Sequence, residues 1–535
     1  MHKTMNKFPH FYALFASAFL LSILIIFQIS FITDFLELEV LSIPIAIVSG
    51  LYIARKQLTL PNILILISIL IVSALYSYYL FDKAGDGRWY HQETMILLKD
   101  LWNPLRNYSN LRADDSFIFS KSYPIANETF ATGLYLLTNS IQIGKSINTL
   151  FAFYTMSIGY IFLQEFNLLK QKKDAIIVSL LIAFNPIVCS QLFSYYLDGN
   201  LFCCFVVALL SSYAYLYTDN KNKNFWLITL CCSFWILSNI KATGLIYAIS
   251  IISIINLFGY FKNKSYFNYN LLITLILGEC LLGWHPYIQN LIAGHNIFWP
   301  VMGKDSIDIL TMLDVSPYPK ILFPLLSYLI PYPINFDILT WAPDIKTYIR
   351  TDARFGACGP FFGLLLLGLS SALCTGNLKS KILQFKELTY TILALSSIII
   401  ITIFINPKWW FAKYVPQIYL LPLFALVLLI NYKPKQWAKY KKIILLLFII
   451  NSLLFLSGSL ILTGYRSILF FNMENVCKNE PCILSGQNNT FKRSLTQQLN
   501  DDKVIFINGT CNPKNIIWED SKINGTPTNI ICQNK

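Results

Sequence analysis

The chain has 535 residues, of which 55% are hydrophobic, 15% aromatic and only 13% charged. A soluble domain carries about 25% charged residues, so this composition excludes a soluble globular protein and assigns most of the chain to lipid. The formal net charge of +14 does not point to nucleic acid, because the lysines and arginines fall in short clusters between apolar runs rather than in one basic domain.

Taken in order, the apolar runs predict an all-α polytopic membrane protein. The first, near 11–32, follows Lys3 and Lys7 but is too long for a signal-peptide core and has no small-x-small cleavage site, so it reads as an uncleaved span. Further spans are expected near 40–54, 62–81, 144–163, 175–193, 201–217, 225–238, 245–260, 270–284, 360–375, 389–406, 414–431 and 443–463, about thirteen in all. With the N-terminus inside, the inner loops hold Arg55 and Lys56, Lys170 to Lys173, Lys221 and Lys223, Lys262 and Lys264, and the run from Lys433 to Lys442. This is the asymmetry that the positive-inside rule requires.

The division expected is a transmembrane hairpin over 1–61, a membrane core over 62–463 with long outer loops at 82–143 and 285–359, and a polar outer domain over 464–535. Loops of that length are usually functional. The last segment contains Cys477, Cys482, Cys511 and Cys532, which suit disulfides in an oxidising compartment, with all three pairings open.

Chemistry is expected first where the third span leaves the lipid, in the stretch from Asp82 to Pro104. Asp86 and Glu93 are seven residues apart and Asp82 and Asp86 four apart, so on a regular helix the three carboxylates share a face. Polar residues recur at outer span ends: Asp198 in SYYLDG, Lys241 in NIKATG, His295 in HNIFWPVMGKD, Asp352 and Arg354 in TDARFGACGP, and Lys413 in NPKWWFAKYVPQ. Cations at outer span ends run against the positive-inside trend, although snorkelling of the stems explains any single one of them.

These motifs, in this order and on one side, resemble the bacterial integral-membrane glycosyltransferases of the GT-C fold. The likeness runs from about residue 80 to 420, from DGRWYHQE and WNP through NIKATG and DARFGACGP to WWFAKYVPQ. It implies a polyprenyl-phosphate sugar donor and an acidic residue in the first large outer loop, which falls on Asp86 with Asp82 beside it. Where the family's last motif carries arginine, this chain has Lys413.

The residues fit that chemistry. Sugar transfer from a lipid phosphate needs a base at the acceptor hydroxyl and cations at the leaving phosphate. The expected catalytic carboxylates are Asp86, Asp82 and Glu93, and the expected phosphate ligands are Lys241, Arg354 and Lys413. Arg88, Trp89, Tyr90, His91, Asp198, His295, Asp352, Trp410 and Tyr414 are expected to bind substrate, although an interfacial aromatic belt predicts the same tryptophans. No cofactor is firmly expected, a divalent cation being the alternative left open. His91, His285 and His295 lack ligand spacing, which disfavours a metal ion. The partners expected are the lipid-linked donor, a glycan or lipid-linked acceptor and membrane lipid, at a bacterial inner membrane with the C-terminus in the periplasm. A flippase or polymerase of lipid-linked glycan is the alternative.

Overall fold

The structure, a computed structural model, describes residues 7–82, 84–100, 102–106, 115–218, 220–263, 268–304, 306, 327–329, 358–374, 384–432, 434–479, 482–486, 490–504, 506–509, 511, 516–519, 522–523, 526–527 and 529–533. It is predominantly helical. Helices α1 (Phe8–Thr33), α2 (Ser42–Ile53) and α3 (Leu60–Tyr79) open the chain. Beyond the segment that follows α3, with its short helices α4 (Gln92–Lys99), α5 (Asp115–Ser122) and α6 (Ala126–Thr138), come α7 (Ile147–Glu165), α8 (Lys172–Ala183), α9 (Pro186–Gln191) and α10 (Asp198–Tyr217). Helices α11 (Lys223–Ile240), α12 (Ala242–Asn263), α13 (Tyr269–Leu282), α14 (Phe362–Cys374), α15 (Lys386–Ile405), α16 (Leu420–Tyr432) and α17 (Pro434–Asn479) complete the bundle.

Among the described residues, seven helices are long and apolar enough to cross a membrane, or eight if α13 and the segment Trp284–Ile292, bent 82° from it, count as one span. The chain therefore has the character of a multi-pass membrane protein. The thirteen apolar runs do not give thirteen helices of spanning length. Helix α2 has 12 residues, about 18 Å against a hydrocarbon core of about 30 Å, and it packs back along α1, where Gly50 lies against Phe15. The run at 175–193 is broken because Pro186 lacks an N–H and Asn185 caps a new helix, its Oδ1 accepting from the N–H groups of Ile187 and Val188 at 2.9 and 3.2 Å. Helices α14 and α16 have 13 residues each.

Burial divides the helices by role. In α10, 94% of the apolar window is buried, among α7, α11 and α12, so this helix is the centre of the bundle. Helix α3 lies at its edge, with 22% buried. Thr59 caps α3, accepting from the Asn62 N–H, and Pro61 sits in its first turn. The helix then carries no charge until the chain turns extended at Leu80.

Helix α17 runs without interruption through Gly464, where the sequence turns polar. At 46 residues it is about 69 Å long, well beyond a bilayer core, and its far end delivers Cys477 to a small C-terminal unit. That unit contains β1 (Cys482–Gly486), α18 (Thr490–Asp501), β2 (Phe506–Asn508), β3 (Ile516–Glu519) and β6 (Asn529–Gln533), with a minor hairpin of β4 (Lys522–Ile523) and β5 (Thr526–Pro527). The four-stranded sheet has the order β2-β1-β6-β3; β1 pairs parallel to β2 and antiparallel to β6, with Ile483 opposite Cys532. Of the three cysteine pairings, the fold takes Cys477–Cys482 and Cys511–Cys532.

Candidate active site

Where α3 ends, Phe81 leaves the bundle and stacks on Phe470 of α17, ring centroids 4.2 Å apart. Asp82 then turns inward and is 2% exposed. Its Oδ1 accepts from the Ala84 N–H and its Oδ2 from the Tyr195 N–H, both at 2.8 Å. Burial raises its pKa from the usual carboxylate value, partly offset by the Lys145 ammonium and these two N–H groups. Lys145 itself is fully buried and donates to the Leu80 carbonyl and to Gln142. Asp82 is thus a clamp between the end of α3 and the start of α10.

The chain becomes helical again at Gly85, and residues Gly87–His91 form a π turn. A Cβ on Gly87 would lie 2.6 Å from Asp82 Oδ2, so glycine is what lets this turn sit on the buried carboxylate. The wide turn also changes the geometry expected of the three acids. It takes up about one extra residue, roughly 100° of rotation, so a seven-residue spacing no longer keeps a common face. Asp82 lies ahead of the helix, and Glu93 and Asp86 serve different partners.

Asp86 is the accessible carboxylate. Its side chain is 37% exposed, and the Lys413 ammonium lies 3.8 Å from Oδ2. Lys413 comes from the turn between α15 and α16 and sits 5.2 Å from the ring centroids of both Tyr196 and Tyr414. Lys241, between α11 and α12, approaches the Tyr414 ring at 5.0 Å and Asp198 Oδ1 at 2.7 Å. Burial opposes the Lys241 charge, but Asp198 and Tyr414 outweigh it and hold the ammonium above the ordinary lysine value. Asp198, in the first turn of α10, also accepts from Gln191, whose Oε1 takes the Gly199 N–H. The Tyr247 hydroxyl donates to the Tyr414 carbonyl at 3.1 Å and anchors that turn. Tyr90 and Tyr123 pack with Phe119 beside the cluster, and burial together with the Asp86 charge pushes the Tyr90 phenol well up.

Residues from four separated segments therefore meet: Asp86, Asp198, Lys241, and Lys413 with Tyr414, with Tyr196 beside Lys413. Other expected site residues lie elsewhere. Glu93 is buried against Arg493 of α18 at 2.8 Å. Arg88 is fully buried, its Nε donating to Ser494 at 3.3 Å. His91 pairs with Glu128 and stacks against Tyr90. Trp89 meets Phe119 edge-on at 5.1 Å, His295 stacks on Trp299 at 4.3 Å, and Trp410 is buried with Lys408 5.4 Å from its ring. Asp352 and Arg354 lie outside the described residues. Among the described residues no three His, Cys, Asp or Glu side chains converge as a metal ion would need.

Sequence reasoning passed over Lys145, Tyr196 and Arg493 as site residues. Tyr196 stands inside SYYLDG, and Lys145 stands at the entrance of the span expected near 144–163, where a lysine is the available signal. Arg493 gave none, because its partner Glu93 is 400 residues away in the chain. No family model matches the chain, and no curated protein is detectably similar to it.

Proposed function

We propose that the protein is an inverting membrane glycosyltransferase that moves a sugar from a polyprenyl-phosphate donor to a cell-surface glycan or lipid-linked acceptor at the outer face of a bacterial inner membrane. Asp86 takes the proton of the acceptor hydroxyl as its oxygen bonds to the anomeric carbon. The bond from that carbon to the phosphate oxygen breaks, and the charge left on the phosphate is met by Lys413, with Lys241 behind it. The observation that carries this reading is the half-exposed Asp86 carboxylate 3.8 Å from Lys413, beside the Lys241–Asp198 pair. A base and a phosphate cation are needed that close together, and Asp198 holds the Lys241 ammonium beside them at 2.7 Å.

A lipid donor is further supported by an apolar groove of about 380 Å³ between α3 and α7, lined by Leu64, Ile65, Ser68, Ile69, Val72, Ser73, Thr149 and Phe153. Its volume accommodates part of an isoprenoid chain. The inside placement of the N-terminus and the periplasmic placement of the C-terminal unit belong to the same proposal. Residues Arg354 and Asp352 complete it as a phosphate ligand and a substrate ligand.

The test is transfer of labelled sugar from polyprenyl-phosphate donor in membranes holding matched amounts of wild type, Asp86→Asn and Lys413→Gln. Asp86→Asn is expected to lower transfer by about 10²- to 10⁴-fold; a variant that transfers like wild type removes the base and the proposal with it. A flippase or polymerase of lipid-linked glycan is the second reading, favoured by the break at Asn185–Pro186 and the 82° bend after α13, since transporters build sites from broken helices. Movement of lipid-linked glycan across proteoliposomes without sugar transfer would select it.

A further inference from the structure

The C-terminal unit is joined to the Asp86 segment by more than proximity. Phe81 belongs to the hydrophobic core of that unit, with Phe470, Met473, Cys477, Cys482, Leu484 and Leu495, and its N–H donates to Ser467 at 2.7 Å. Polar contacts continue along α18. Arg493 meets Glu93 at 2.8 Å, Ser494 donates to Gln92 and accepts from Arg88, and Gln498 accepts from Gln142 at 2.8 Å. Asp501 accepts from the Tyr135 hydroxyl at 3.0 Å and the Ile141 N–H at 3.2 Å.

Their placement along the helix matters. Arg88, Gln92 and Glu93 follow Asp86 within the next seven residues, on the π turn and the start of α4. A π turn is rare and occurs mostly as a single-turn bulge within a helix, so the packing around it decides whether it persists. On its other side this turn rests on Asp82 through Gly87. It is held from two directions, and α18 is one of them. The Glu93 side chain is 2% exposed and that of Arg493 24% exposed, so the arginine is the member that reaches in from the C-terminal unit.

We propose that Arg493 is a positioning residue: paired with Glu93, it locks the turn that carries Asp86 onto the C-terminal unit and so sets the Asp86 carboxylate at its distance from Lys413. The inference rests on the glycosyltransferase reading for its catalytic consequence, and not for the coupling itself. It gives the C-terminal unit a role in the reaction without any contact with substrate. Removing the guanidinium leaves both substrates' binding groups in place and loosens only the base, and small misplacements of a reacting group are costly.

The experiment compares wild type, Arg493→Ala and Arg493→Lys as full chains in lipid nanodiscs, with two readouts. Hydrogen exchange of peptides covering 84–99 is expected to rise in Arg493→Ala, with exchange in α10 and α15 unchanged, and to return toward wild type in Arg493→Lys, which keeps the charge. Sugar transfer is expected to lose roughly ten- to hundredfold in kcat in Arg493→Ala, with KM for the donor unchanged and partial recovery in the lysine variant. Unchanged exchange over 84–99 overturns the proposal, and so does raised exchange with wild-type kcat. A fall in KM-linked binding with kcat intact also overturns it. If wild type itself transfers no sugar, the glycosyltransferase reading fails, and the exchange comparison alone decides whether Arg493 holds the turn.

Discussion

Asp82 and Asp86 show how one stretch assigns opposite tasks to the same side-chain type. Asp82 is buried, and both its oxygens are occupied by backbone N–H groups, of which that of Tyr195 joins the end of α3 to the turn ahead of α10. Truncating Asp82 to alanine leaves the buried Ala84 and Tyr195 N–H groups without their acceptor, which costs about 1–3 kcal/mol for each. Asp82→Ala is accordingly expected to lower the melting temperature in detergent strongly, whereas Asp86→Asn, at a half-exposed position, changes stability by no more than about 0.5 kcal/mol. Equal melting temperatures for the two variants would contradict the clamp. Gly87 supplies a second check at this scale. A methyl group there would meet Asp82 Oδ2 at 2.6 Å, so Gly87→Ala is expected to cost about 1–3 kcal/mol by overpacking, read from the same melting curves.

At the scale of elements, the connection between α1 and α2 holds Glu39, which is 1% exposed, its Oε1 accepting from Ser30 at 3.2 Å. Burial raises its pKa from the ordinary 4.5 to about 8, against the smaller lowering by the Ser30 hydroxyl. The folded chain keeps this proton to about pH 8, while the unfolded chain releases it near 4.5. The contribution is therefore fully present below pH 4.5 and is lost as pH rises toward 8, with roughly 5 kcal/mol as an upper bound. Glu39→Gln is expected to stabilise the protein at pH 8.5 relative to wild type and to flatten the melting temperature between pH 5 and pH 8.5; a wild-type curve already flat over that range removes the argument. The break between α8 and α9 offers a further test. Asn185→Ala loses two capping hydrogen bonds in a buried setting, about 1–2 kcal/mol.

For the whole molecule, the long helix α17 and the Cys477–Cys482 disulfide tie the C-terminal unit to the bundle, and Cys511–Cys532 closes a loop within the unit. On the chain-entropy model, closing the short loop of Cys477–Cys482 is worth about 2 kcal/mol and that of Cys511–Cys532 about 3 kcal/mol. Since Cys477 and Cys482 share a core with Phe81, reduction is expected to loosen the 82–99 segment as well as the unit itself. Mild thiol treatment followed by limited proteolysis checks this. Cleavage within 484–533 alone, with 82–99 still protected, would show that the two move independently.

The sequence by itself determined the membrane character, the helical class and the oxidised cysteine-bearing end, because apolar run length, charge clustering and cysteine spacing are local properties that partition energetics act on directly. It also marked Asp86, Asp198, Lys241 and Lys413 as polar residues at span ends. Only the tertiary structure decided that these four meet, that Glu93 turns away to Arg493, and which cysteines pair. It also decided which apolar runs form full-length helices: Asn185–Pro186 breaks one, and α2 folds back on α1. These outcomes depend on contacts between segments far apart in the chain and on one π turn that shifts helical phase, and neither leaves a periodic trace in the sequence.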